Sequence, residues 1–442
     1  MSALDDEARH KALRLLTAGS VDDGKSTLMG RLLLDSRAVL TDQLDMLEQR
    51  AAGSAIDLSL LTDGLEAERE QGITIDVAYR YFATKKRKFI MADAPGHEQY
   101  TRNMVTAASS SDVAVILVDI TKLDWRTRPV ALLPQTRRHS LLAQLLRVPH
   151  VVFVINKLDA VDADAQAAFE AVRDALDEFA RHADLPVRAI LPVSALRGDN
   201  VTQPSSVWTW YTGPCLLPLL EELPVTTERL DGAPLMAVQY VSRDGGTGHQ
   251  LRTFWGRLAQ GQVRVGDTLT VYPSGESATV QELWRAAEAV TEAHAGQSVG
   301  VVLDRQLDVS RGDWLLPAGE SAASGQSEFD ATLAWLDTEP ARVGRKYWLR
   351  HGHRWVQARI TRIVSRLDVQ TLHAHDTDEL AVNDIGRVVW QTQQPLPLQT
   401  YHDNRSAGAM IVVDPASHRT GGAVLVEPSA PHEVDDGWGE AA

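Results

Sequence analysis

Residues 19–27 read Gly-Ser-Val-Asp-Asp-Gly-Lys-Ser-Thr, the G-x-x-x-x-G-K-[ST] spacing that cradles a polyphosphate. The chemistry is anion recognition by backbone. Glycines let the loop curl so that the N–H groups of Gly19, Ser20, Val21, Asp22, Asp23 and Gly24 point at phosphate oxygens, and the N-terminus of a following helix adds partial positive charge. Lys25 is expected to reach the β- and γ-phosphates. Ser26, with Thr27 beside it, offers the hydroxyl that a Mg²⁺ ion bridging those phosphates requires.

A phosphate loop does not say which nucleotide binds; later tetrapeptides do. Asp93-Ala94-Pro95-Gly96-His97 closes an apolar run, where Asp93 can hold Mg²⁺ through water and the Gly96 N–H can sense a γ-phosphate. Asn156-Lys157-Leu158-Asp159 follows another apolar run. Its carboxylate can accept from both the ring N–H and the exocyclic amine of guanine, a pairing adenine cannot offer. Ser194-Ala195-Leu196 can add a backbone N–H for the guanine oxygen. The order of these motifs predicts GTP with Mg²⁺.

Switching needs a segment that touches the γ-phosphate only while it is present. Arg69-Glu70-Gln71-Gly72-Ile73-Thr74-Ile75 is the candidate, with Thr74 as a second protein ligand of Mg²⁺. His97 is placed to orient the attacking water, and His97, Lys25 and Thr74 form the expected catalytic set. Val21 and Ile73 are either an apolar gate in front of His97 or plain packing residues.

These residues need a scaffold that delivers them to one edge. Apolar runs at Leu13 to Ala18, Lys88 to Ala92, Val113 to Ile120, His150 to Ile155 and Arg188 to Val193 alternate with helical patterns at Lys25 to Leu34, Gln135 to Leu146 and Asp164 to Arg181. That alternation predicts an α/β P-loop GTPase domain, a mostly parallel sheet with helices on both faces. Ile75 to Phe82 followed by Lys88 to Met91 predicts an antiparallel edge hairpin, with Lys85-Lys86-Arg87-Lys88 as its solvated turn. Beyond about residue 228 short β-rich runs broken by Gly, Asp and Pro predict two β-barrels. The expected division is 1–228 for the nucleotide domain, 229–320 and 326–426 for the barrels, and 427–442 for a disordered tail.

The chain has a formal charge of −15, one cysteine (Cys215) and 44% hydrophobic residues. The acidic balance argues against nucleic acid as the main partner, and a single cysteine excludes an internal disulfide or a Cys-based zinc site. Cys215 is expected to be packed rather than reactive. No apolar run reaches membrane-spanning length, and the N-terminal MSALDDEARHKAL lacks the basic-then-apolar order of a signal peptide, so a cytoplasmic location without membrane contact is expected.

With these motifs in hand, the chain resembles the translation-factor class of GTPases, and within it the sulfate adenylyltransferase subunit 1 family. Ser20 and Asp23 stand where elongation factors typically place His. Asp63 to Phe82, Ala94 to Met104 and Gln135 to Ser140 look like the family's segments almost residue for residue. Arg264 to Asp267, Ser310 to Asp313 and Asp403 to Ser406 agree, although plain β-turns fit them too. The resemblance implies a GTPase subunit that couples GTP hydrolysis to formation of adenylyl sulfate and diphosphate from ATP and sulfate on a separate catalytic subunit. A single phosphate loop fits that division, and His351-Gly352-His353 reads as a barrel loop rather than an adenylyl-transfer motif. The alternative is a translation factor delivering an aminoacyl-tRNA. Two departures stand out: Ala94 where the family has Thr, and a longer stretch at 123–134 that either alters a partner surface or is a tolerated loop.

Overall fold

The computed structural model describes residues 12–38, 58–61, 78–94, 101–225, 231–243, 252–319, 325–368, 371 and 373–428. Thr74 and Ile73, the Pro95-Gly96-His97 tripeptide and the 429–442 tail lie outside them. The chain forms two compact units that meet in sequence at Thr226 and Thr227.

In the first unit, β1 (Leu13–Ala18), β2 (Ala78–Ala83), β3 (Lys88–Asp93), β4 (Val113–Asp119), β5 (His150–Asn156) and β6 (Val187–Pro192) form one sheet in the order β2-β3-β1-β4-β5-β6. Only β2 runs antiparallel to its neighbour, so the expected edge hairpin is present. The central strands are apolar and buried throughout, because helices cover the faces of a parallel sheet. Successive side chains alternate between faces. Leu13, Leu15, Val113, Val115, Leu117, Val152 and Val154 pack with Leu28, Met29 and Leu32 of α1 (Lys25–Asp35). The other α-helices among the described residues of this unit are α2 (Thr101–Ala108), α3 (Pro134–Leu145), α4 (Ala165–His182) and α5 (Leu216–Glu222). Leu216, Leu217 and Leu220 of α5 join the same core as β1.

One expectation about the β2–β3 turn needs correction. Lys85, Lys86 and Lys88 are exposed, but Arg87 is buried. Its guanidinium donates to the carbonyls of Leu220 and Glu221 (3.5 Å each) and, at closer range, Leu223, while Lys86 pairs with Glu221 at 3.0 Å. The last carbonyls of a helix have no partner within it and carry partial negative charge; Arg87 supplies both donors and charge to α5. A four-residue basic run hides this, since only one member turns inward.

The 123–134 stretch is packed on its own unit. Leu123, Val130 and Leu132 are buried, Arg128 donates to the carbonyl of Ala171 in α4 (3.1 Å), and Arg126 pairs with Asp164 just before that helix at 2.8 Å.

The second unit holds two closed six-stranded barrels. Strands Thr268–Tyr272, Trp314–Pro317, Leu235–Arg243, Arg252–Gln260, Ser298–Leu303 and Ser277–Arg285 pair in that order, and the last returns to the first. The second barrel closes likewise through Lys346–His351, Ala409–Val413, Thr420–Val426, Gln326–Trp335, Ile385–Leu396 and Arg354–Leu367. Closure removes the unpaired edges that short antiparallel sheets otherwise expose.

The barrels meet at a histidine. His351 ends its strand at 0% exposure and stacks on Trp314 of the first barrel with ring centroids 4.8 Å apart. Its Nε2 donates to the carbonyl of Ala407 (2.8 Å), and among the described residues Nδ1 has no hydrogen-bond partner. Gly352 follows at φ 57°, where a Cβ would lie 3.1 Å from the Trp314 ring, so the turn accepts little but glycine. Arg354 pairs with Asp313 at 3.2 Å, and the Tyr272 hydroxyl donates to Pro395 at 2.6 Å. His351-Gly352-His353 is therefore a structural corner.

Burial holds the His351 imidazole neutral and lowers its pKa from 6.5 to about 4. The unfolded chain takes up a proton below 6.5 that the folded chain refuses until about 4, so stability falls as pH drops through that window, by up to about 3 kcal/mol for this group. Urea unfolding at pH 7 and pH 4.5 should show a smaller loss of stability in His351→Gln, which keeps a donor for Ala407, than in the wild type. Equal losses in the two proteins would rule His351 out as a source of acid sensitivity.

Candidate functional site

All parallel strands of the first sheet point their C-terminal ends to one edge, where ligands of such folds bind. β1 releases the Gly19–Gly24 loop there, β3 ends in Asp93, β4 in Asp119, β5 in Asn156, and the Ser194 loop follows β6. Four motifs spread over about 180 residues of sequence thus become neighbours because one sheet orders their strands.

The loop turns at Asp22 (φ 62°) and Gly24 (φ 91°). Gly24 precedes the first turn of α1, which no side chain caps and no acidic residue occupies. Such a terminus is left to an anion. A Cβ on Gly24 would lie 2.4 Å from Asn156 Nδ2, so glycine is required there for space as well as for its backbone angle.

Asn156 is buried and uses both ends of its amide. Nδ2 donates to the Asp23 carbonyl (2.8 Å), and Oδ1 accepts from the Ala195 N–H (3.0 Å). One side chain therefore ties the phosphate loop to the loop after β6. Lys157, in the left-handed conformation at φ 59°, donates to the Asp22 carbonyl (2.6 Å) and pairs with Asp119 at 2.8 Å. Asp119 in turn accepts from the Thr121 N–H and hydroxyl at 2.9 and 2.6 Å.

Lys25 is buried, and its ammonium donates to the carbonyls of Gly19 (3.2 Å) and Ser20 (2.8 Å). Burial pushes its pKa down, while Asp93 and Asp23 pull it back up. Asp93 is buried and accepts from the Thr17 hydroxyl at 3.1 Å. Ala94, fully buried, donates its N–H to the Thr17 carbonyl at 3.2 Å. The contact made by Ala94 is thus one of backbone, which any residue can make.

The residues expected from sequence to read the base divide by availability. Asp159 lies near Arg197 (3.6 Å). The Ser194 N–H donates to Asp199 (3.2 Å) and its hydroxyl accepts from Arg197 N–H (3.0 Å), while the Ala195 N–H is committed to Asn156. Among the described residues the Leu196 N–H has no acceptor, on a residue 56% exposed. Arg31 of α1 holds the same loop by its Ala195 carbonyl at 3.2 Å.

Val21 is half-buried, and its carbonyl accepts from Lys122. Lys122 and Asp119 belong to none of the sequence motifs, although their place just at and after the end of β4 marks them as edge residues. Cys215 is buried, and burial raises its thiol pKa. Among the described residues no helix is long and apolar enough to cross a membrane, and no cluster of three or more His, Cys, Asp or Glu could hold a metal.

Comparison with known proteins agrees with this geometry. Residues 10–253 match the Elongation factor Tu GTP binding domain, 252–316 match Elongation factor Tu domain 2, and 328–427 match the GTP-eEF1A C-terminal domain-like family. Sulfate adenylyltransferase subunit 1 of Laribacter hongkongensis is 42% identical over 96% of this chain and 88% of its own length. The protein of the same name from Colwellia psychrerythraea is 41% identical over 98% of this chain and 90% of its own. A bifunctional enzyme CysN/CysC of Mycobacterium tuberculosis is 45% identical over 95% of this chain and 68% of its own. A GTPase domain of the elongation-factor type, two barrels in sequence and near-full-length identity above 40% lead to one assignment: the chain belongs to the sulfate adenylyltransferase subunit 1 family.

Proposed function

We propose that this chain is the GTPase subunit of a cytoplasmic sulfate adenylyltransferase and that it couples GTP hydrolysis to the making of adenylyl sulfate and diphosphate on a separate catalytic subunit. The observation that supports the reading is the Asn156 strut, which ties the Gly19–Gly24 loop and the loop after β6 to the N-K-x-D segment. The names of the relatives supply the coupled reaction.

In this reading the N-terminus of α1 and the Gly19–Gly24 loop receive the phosphates, without the Ser20 N–H, which Asp23 holds. Lys25 turns from the Gly19 and Ser20 carbonyls to the β- and γ-phosphates. Asp159 accepts from the guanine N–H groups, and the Leu196 N–H donates to the guanine oxygen. Ser26 and Asp93 offer a hydroxyl and a carboxylate, hard oxygen donors that suit Mg²⁺ shared with phosphates; bound there, the ion would neutralise charge developing on the transferred phosphoryl group. Thr74 and His97 complete the proposal as metal ligand and water-orienting residue.

Lys25→Ala should weaken GTP binding about tenfold to a hundredfold, the loss of one charge-assisted hydrogen bond of about 1.5–3 kcal/mol, as read by equilibrium titration. Asp159→Asn presents an amide where guanine needs a carboxylate, so affinity should move from GTP toward xanthosine triphosphate, whose 2-oxo group accepts from that amide. Retained preference for GTP would exclude Asp159 as the base reader. The coupled reading is tested by following GTP hydrolysis and adenylyl sulfate in one tube with the catalytic subunit, ATP and sulfate. Both products should rise together and require GTP; GTP turnover indifferent to ATP and sulfate would defeat the coupling.

A further inference from the structure

The Asp23 side chain and Lys122 have no assigned duty in nucleotide binding: Asp23 fills a variable position of the phosphate-loop pattern and is expected from sequence to contribute only its backbone N–H, and Lys122 lies outside the motifs. The structure nevertheless joins them across 99 residues. The Asp23 side chain has 0% exposure; one carboxylate oxygen accepts from the Ser20 N–H (2.6 Å), and the other accepts from Lys122 Nζ (2.8 Å). The same ammonium donates to the Val21 carbonyl and stands 3.9 Å from Asp119. One cation at the end of β4 thus holds the phosphate loop at two points.

Burial penalises the ionised Asp23 carboxylate, and Lys122 is the main group that offsets it, with Lys25 as the second cation. Lys25 is the residue whose charge is needed at the phosphates. If Lys122 is removed, the buried carboxylate keeps the Ser20 N–H but has Lys25 as its remaining nearby cation, and a poorly compensated buried charge is strongly unfavourable. The opposite carboxylate oxygen meanwhile takes the Ser20 N–H, which is therefore spent on holding the loop's shape rather than on the ligand. Lys122 therefore acts on two requirements of phosphate binding, the shape of the loop and the freedom of Lys25.

We propose that Lys122 is a positioning residue for the guanine nucleotide, acting through Asp23 to keep the loop in its binding shape and Lys25 available, and so setting how long the nucleotide stays bound. This rests on the GTP reading of the site. It adds a residue on a different strand end, and a reason for an acidic side chain inside an anion-binding loop.

The test is the dissociation rate of a fluorescent GDP analogue from the full chain. Lys122→Met should release it about tenfold faster, and Lys122→Arg should restore most of the lifetime because a guanidinium still donates to Asp23 and Val21. Asp23→Asn keeps an acceptor for Ser20 without the charge, so adding Lys122→Met to Asp23→Asn should change the rate by less than about twofold. An unchanged lifetime in Lys122→Met, or the same acceleration with and without Asp23→Asn, would overturn the inference while leaving the nucleotide site intact. Failure of the wild type to retain the GDP analogue at all would remove the nucleotide reading and the inference with it. If Lys122→Met does not fold, Lys122→Gln, which keeps a donor but drops the charge, carries the same expectations.

Discussion

The site depends on the hydrogen bonds that Asn156 makes in two directions. A six-residue loop between a strand and a helix has little regular pairing of its own. Its carbonyls must then be satisfied from outside. Asn156 takes the carbonyl of Asp23, Lys157 that of Asp22, and Lys122 that of Val21. The Asn156-Lys157-Leu158-Asp159 segment and the Gly19–Gly24 loop are thereby parts of one object, and the strand order of the sheet is what allows them to meet.

The second unit solves a different problem with similar means. Two small barrels, each with its own core, are joined within the unit by a stacked His351–Trp314 pair, an Arg354–Asp313 ion pair and the Tyr272 hydroxyl. A neutral histidine serves well there because it offers a flat ring and a donor at once. Its cost is a group that resists protonation in acid.

Much of this was legible in sequence because the relevant signals are local. Strand periods, the loop after β1 and the N-K-x-D tetrapeptide each sit within about ten residues, and the closed barrels follow from short β-runs punctuated by turns. Three features escaped for physical reasons. Arg87 looks like its basic neighbours, and only the arrival of α5 more than 130 residues later makes it a cap. Within Ser194-Ala195-Leu196 the sequence does not say which N–H is already spent, and the fold commits that of Ala195 to Asn156. Lys122 carries no motif, and its partner Asp23 looks like an ordinary variable position until the fold buries it. Thr74 and His97 fall outside the described residues, so their roles still stand on sequence.

The cap on α5 also bears on how the chain is made. β1 is the third strand of the sheet and is synthesised before the other five, yet its core neighbours include Leu216, Leu217, Leu220, Leu223 and Val225 at the far end of the unit. Arg87 likewise waits for carbonyls that emerge after residue 219. During synthesis the nascent unit must hold an unfinished apolar face and a buried-to-be guanidinium until its last helix clears the ribosome. Contacts of such long sequence separation form slowly, because loop closure precedes them. Truncation just short of residue 216 therefore removes the closing piece of the nucleotide unit, and that unit is complete only when the barrels are already beginning to follow.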